Sequence, residues 1–185
     1  INLALISMNI GLIHFYEKSF IKAEEAFNEA IKILHPKNDI FYLKDCYYML
    51  GIIKLELNDI ELADLYATKS LKLNKQLDIG AGILTSKILK AKILYEIDKD
   101  RALIEMEGLL NQVSESSNLE MKQSVYEFLY YAYKDYENWE LSLKMHELLL
   151  AYTDSIEQRK NSFKVVREEV ANEYKAKLYE NQLKY

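Results

Sequence analysis

One proline and five glycines in 185 residues leave this chain with few turn residues. A β-sandwich or barrel needs a turn roughly every 8–12 residues, so those classes are excluded and long helices with short connections remain. Cys46 is the sole cysteine. It permits no internal disulfide and no cysteine-built metal site, and it reads as a small apolar residue in a core. Positive charge is not in excess: the formal charge is −5 and the pI about 5.4, against a nucleic-acid surface. No apolar run reaches the roughly 18 residues that a membrane span needs. The opening INLALISMNIGLIHFY is apolar, but it lacks an initiator Met, a basic leader and a small-residue cleavage site. It reads as a packed helix of a protein whose own N-terminus lies upstream.

Catalytic patterns are also missing. Gly80-Ala81-Gly82 is too short for a phosphate loop and has no Lys after it. His146-Glu147 begins like a zinc-protease helix, but Leu150 stands where the second His would be. Glu24-Glu25 and Glu168-Glu169 read as solvated faces, and no nucleophile–base pair occurs. The chain reads as a non-enzyme without cofactor or metal.

Against these gaps stand fifteen tyrosines and a repeat. Tyr packs like Phe but keeps a hydroxyl for a partner, which suits half-buried helix faces and binding surfaces. Ala23, Ala63, Ala102 and Ser142 recur near every 40 residues, each on a segment of helical composition. Ala23, Phe27 and Ala30 share one face of the first such segment. Before them, Ile10-Gly11, Tyr47-x-x-Leu50-Gly51 and Tyr126-x-x-Leu129-Tyr130 fall in one phase. A period of this size marks stacked helical hairpins, each needing its neighbours to bury its apolar face. The spacing predicts helices at about 2–17, 20–34, 39–57, 60–76, 80–97, 99–114, 118–136 and 139–152. Asn58…Glu61 and Ser117…Glu120 read as N-cap signatures. The third unit fits least, with Lys90 or Ala91 at the Gly position and Glu107 where Phe is expected.

These residues resemble the tetratricopeptide repeat (TPR), whose pattern is W-x2-L-G-x2-Y followed by A-x3-F-x2-A. The resemblance implies an all-α fold: a right-handed TPR-like superhelix of about four helix pairs. The pairs cover residues 1–154, in repeats of about 2–36, 37–77, 78–115 and 116–153, and a long C-terminal helix covers 155–185. It also implies a concave protein-binding face built from the first helix of each pair. Phase puts Met8, Leu12 and Phe15 there, then Tyr48, Ile52 and Leu55, then Tyr95, then Glu127, Tyr131 and Lys134. The expected ligand is a protein or peptide segment with apolar anchors at one end and basic residues at the other. Met8 and Leu12 stand where one TPR subclass uses Asn and Lys to grip a C-terminal carboxylate, so that clamp is absent.

The last segment carries an N-cap signature at Asp154 and Glu157. A narrow apolar stripe follows: Ile156, Phe163, Val166, Val170, Tyr174 and Leu178. Two readings stand, a cap over the fourth pair and a coiled-coil strand that allows a homodimer. LLLAYTDSIEQRK and the Tyr174/Tyr179-Glu180 pattern resemble the end of the TPR region in membrane-anchored regulators common in Bacteroidetes. There a transmembrane helix and a histidine kinase or helix-turn-helix output follow. That resemblance implies an extracytoplasmic sensor region. An adaptor without signalling output and a cytoplasmic peptide-responsive regulator are the alternatives.

Overall fold

The computed structural model describes residues 2–182, with side chains at 3–162 and 164. The chain is all-helical, with eight α-helices packed in adjacent pairs and no strand among the described residues. In order they are α1 (Asn2–Tyr16), α2 (Phe20–Leu34), α3 (Ile40–Glu56), α4 (Ile60–Gln76), α5 (Gly80–Tyr95), α6 (Lys99–Glu115), α7 (Leu119–Asp135) and α8 (Trp139–Gln182). A short 3-10 turn, His35–Lys37, follows α2 with Pro36 in its first turn, where a missing donor costs nothing. Two compact units divide the chain, residues 1–114 and 115–185.

Backbone chemistry explains how so few glycines suffice. Lys18, Asn38, Asn58, Asp78 and Glu137 all adopt positive φ, between 51° and 59°. Each reverses the chain just past a helix end. The following N–H then reaches back to a terminal carbonyl: Ser19 to His14 (2.8 Å), Asp59 to Lys54 (2.8 Å), Ile79 to Asn74 (3.0 Å) and Asn138 to Tyr133 (2.9 Å). Asn and Asp tolerate this conformation; Lys and Glu are less suited to it.

This geometry corrects the expected caps. Asn58 closes α3 and cannot also open α4; Asp59 Oδ1 accepts from the Leu62 N–H instead. The cap of α7 is Asn118 rather than Ser117, its Oδ1 accepting from the Met121 N–H at 2.8 Å.

In the first unit, Ala23, Phe27, Ala30 and Leu34 of α2 are fully buried with Leu43, Cys46, Leu50 and Ile53 of α3. Gly11 explains the small residue in α1: a Cβ there would come within 2.8 Å of the Phe27 ring. Ala63 and Ala67 of α4 form a second cluster with Leu89 and Ile93 of α5. Beside it lies a buried polar group. Asn74 Nδ2 donates to the Ser70 carbonyl (3.1 Å) and to the Ser70 and Ser86 hydroxyls (3.3 and 3.2 Å). Gly82 makes room for it, since a Cβ would fall 1.9 Å from Asn74 Oδ1.

The third repeat shows a different register from the one expected. Met106, four residues after Ala102, is fully buried, whereas Glu107 is exposed. Ala91 is buried at the Gly position, and Lys90 turns outward to Asp64. Glu24 is a further correction: it pairs with Lys54 of α3 at 2.7 Å, a partly buried contact rather than a solvated one. Glu25 is exposed as expected.

The expected break before residue 155 does not occur. α8 runs 44 residues, about 66 Å, through Asp154-Ser155-Ile156. Thr153 and Ser155 hydroxyls donate to the carbonyls four residues back, so Asp154 sits mid-helix and caps nothing. Nothing in this stretch can stop a helix: it has no Gly, no Pro and no left-handed residue. Ile156 is buried, Gln123 bonds Thr153 at 3.0 Å, and Arg159 pairs with Glu120 near the start of α7. The segment therefore extends the second helix of the last pair and does not fold back as a cap. The stripe from Phe163 to Leu178, Tyr179-Glu180 and Glu168-Glu169 lie outside the described side chains.

Candidate binding surfaces

The ten expected contact residues separate into two groups. Met8, Leu12 and Phe15 are partly buried against the α2–α3 cluster. Tyr48, Ile52 and Leu55 are partly buried against Ala63, Ala67, Leu89 and Ile93. Burial also pushes the Tyr48 hydroxyl pKa above its ordinary value of 10.0. These six are partly buried among the helices. Tyr95 is half-buried, with the Lys99 ammonium 4.9 Å from its ring centroid. Glu127, Tyr131 and Lys134 alone among the ten are exposed, one above another on α7.

An open groove lies next to them, between α7 and α8. Tyr130 and Lys134 form one wall; Trp139, Ser142, Leu143 and His146 form the other, around about 210 Å³. The Tyr130 and His146 rings stack at 4.8 Å, and the Lys134 ammonium lies 5.9 Å from the Tyr130 ring. The Ser142 hydroxyl donates to the Tyr130 carbonyl at 3.2 Å, tying the walls together. Trp139, Leu143 and Leu150 are all more than half exposed. With His146 they follow a 4-3-4 spacing that keeps one face of α8 apolar.

His146 has the phase of Phe27, but here it is half-buried on the wall of a groove that its spacing does not announce. One signal was present at Leu143. Leu143 corresponds to Glu24, which bonds Lys54, and to Asp64, which bonds Lys90. On α8 that charged position is a leucine, 59% exposed.

Elsewhere, Ser7, Ile10, His14, Lys22, Glu25 and Glu29 line a wider, shallow depression beside α1. Cys46 is buried, and burial pushes its thiol pKa up to about 12, so it is not a nucleophile at neutral pH. Among the described residues no group of His, Cys, Asp and Glu is arranged to hold a metal ion, and no helix is long and apolar enough to cross a membrane.

No protein-family model matches the chain, and no curated protein matches it. Among solved structures it is similar to the crystal structure of BtubC (BKLC) from P. vanneervenii, with a TM-score of 0.64 and 18% identity. The match covers 84% of this chain and 65% of that one, so this chain spans less than two thirds of its length. At that identity the likeness speaks to an all-helical fold and not to function.

Proposed function

We propose that this chain is a non-catalytic, TPR-like helical repeat module that binds a protein or peptide segment. One observation carries the reading. The α7–α8 groove exposes Trp139 and Leu143, and Leu143 stands where Glu24 and Asp64 of earlier pairs bond the following helix. A surface of this kind suits the apolar face of one amphipathic helix, read through anchors three and four residues apart. The buried Ala23, Ala63, Ala102 and Ser142, each at the same place in its pair, support the repeat reading. So does the left-handed residue shared by the connections at Lys18, Asn58 and Glu137. The Bacteroidetes-type resemblance of LLLAYTDSIEQRK supports a finer proposal, that the module is the extracytoplasmic sensor region of a bacterial signalling regulator.

The test is selection of binders from a phage-displayed library of helical and extended segments, panned on the intact chain. Selected sequences should carry apolar residues at helical spacing. They should lose at least about tenfold in affinity toward Trp139→Ala or Tyr131→Ala, as happens when an aromatic anchor is removed. Binders that ignore both substitutions, or no binders at all, would remove the groove from consideration.

A further inference from the structure

The second helices of the first two pairs are divided by charge. Their first halves carry Glu24, Glu25, Glu61 and Asp64, whereas residues 30–38 and 68–77 contain no Asp or Glu. Those two stretches hold Lys32, Lys37, Lys69, Lys72 and Lys75, and all five are exposed. The fold brings the stretches together. Tyr66 and Leu73 of α4 pack against the cluster that α2 and α3 form. On the same side of α4, the Lys69 ammonium lies over the stacked rings of Tyr47 and Tyr66, 5.2 and 5.4 Å from their centroids. α4 is an interior helix, with α3 before it and α5 packed on it, so the exposure of its lysines does not come from where the chain begins.

Repeat packing does not ask for these lysines. The positions of Lys32 and Lys72 hold Asn111 on α6 and Ala151 on α8; those of His35 and Lys75 hold Ser114 and Asp154. The helix dipole does not ask for them either, since it favours a cation only within the last turn. Lys32 and Lys75 lie there, Lys69 and Lys72 do not, and α6 ends with no basic residue in its last turn. Pairing within the chain leaves most of the charge available. Lys32 meets Glu29 at 3.2 Å on the open surface, where an ion pair contributes little. Among the described residues Lys37, Lys72 and Lys75 have no carboxylate partner.

We propose that this basic surface is a second binding site, independent of the α7–α8 groove, and that it takes an acidic segment of a partner protein: a short run of Asp and Glu laid across α2 and α4. Its extent favours a short ligand. Lys69 to Lys75 covers about 9 Å along α4 at 1.5 Å per residue. A nucleic acid continuing past it would meet Glu24, Glu25, Glu61 and Asp64 on the same helices and be repelled. The chemistry points the same way. The surface has no arginine, whose planar fork suits phosphate, and its two tyrosine rings are engaged by Lys69 instead of open to stacking bases.

Fluorescence anisotropy with a short fluorescein-labelled oligoglutamate peptide tests it on the intact chain. The peptide should bind, and its affinity should fall at least about tenfold between about 0.05 and about 0.5 M salt. Lys69→Gln/Lys72→Gln/Lys75→Gln should lose at least about tenfold. Lys144→Gln/Lys160→Gln/Lys164→Gln removes the same formal charge from exposed positions on α8 and should change affinity less than about twofold. Unchanged helical circular dichroism verifies folding; Lys37→Gln/Lys72→Gln/Lys75→Gln keeps Lys69 on its rings and is the second variant should the first misfold. Absence of binding, or equal losses in the patch and α8 variants, overturns the proposal. So does tighter binding of single-stranded DNA or of phosphatidylserine vesicles, lost in the same patch variant, because the surface would then serve another class of anion. Trp139→Ala, in the groove, should leave oligoglutamate affinity unchanged; a loss there would mean that the two surfaces are not separate sites. The groove reading is decided by panning alone and can fail without touching this result.

Discussion

The first and last helix pairs solve one packing problem in opposite ways. In α1–α2 the first helix gives up its side chain at Gly11 and the second fills the space with the fully buried Phe27 ring. In α7–α8 the equivalent positions hold Tyr130 and His146, two half-buried rings stacked at 4.8 Å beside an open groove. A glycine–phenylalanine pair closes a core because the ring is wrapped on every side. A tyrosine–histidine pair keeps hydrogen-bonding edges near water, so it holds the helices together and leaves a polar, aromatic rim. The same repeat position has thus been used for stability in one pair and for surface in the other.

The largest expected effect breaks this comparison if it fails. Phe27→Ala should cost roughly 3–5 kcal/mol, as removing a buried aromatic does, whereas His146→Ala should cost under about 1.5. Urea midpoints of the two variants decide the matter; equal losses would mean that the pairs are packed alike.

A smaller effect sharpens it through pH. Cys46 lies in the same cluster as Phe27, and burial, aided by Asp45, raises its thiol pKa from 9.0 to about 12. Between those values the unfolded chain has lost the proton and the folded chain retains it, so stability falls as pH rises. The slope reaches at most about 1.4 kcal/mol per pH unit. Cys46→Ala should remove this component from alkaline denaturation. Tyr47 and Tyr48, also raised by burial, would leave a residual slope of the same sign at higher pH. A variant with an unchanged alkaline limb would mean that the thiol is solvated.

The smallest effect concerns the connections. Lys18 and Glu137 hold the left-handed conformation at equivalent points of the first and last pairs. Lys18→Gly and Glu137→Gly should each stabilise by about 1 kcal/mol, because glycine adopts positive φ without strain. Thermal melting of both variants checks this. A loss at either site would show that its side chain makes a contact worth more than the strain.

Much of the architecture was legible in the residues. The first seven helices fall within about two residues of their expected spans, because apolar spacing and composition are local properties; α8 starts at the expected residue but runs on to Gln182, well past the expected end at 152. The misreadings have physical reasons. Asn58 and Ser117 have cap-forming side chains, but the same residue types also serve in left-handed and turn positions. Asp154 resembled a cap, but a capping side chain acts only where the preceding backbone has left the helix, and here it has not. Glu24 looked solvated because its partner, Lys54, lies thirty residues away. The binding face was the least legible part. Tyr48, Ile52 and Leu55 carry the phase of surface residues, yet α5 comes to lie over them.

By itself the sequence determined that this protein is helical, where its helices begin, and which face of each is small and apolar. Those properties follow from side-chain spacing along one helix and from the scarcity of glycine and proline. Only the tertiary structure decided which apolar faces are covered. Leu43, Cys46, Leu50 and Ile53 are buried while Leu3, Ile6, Ile10 and Ile13, in the same phase, are open. Burial depends on a neighbouring helix, and the spacing of one helix carries no record of whether that neighbour is there.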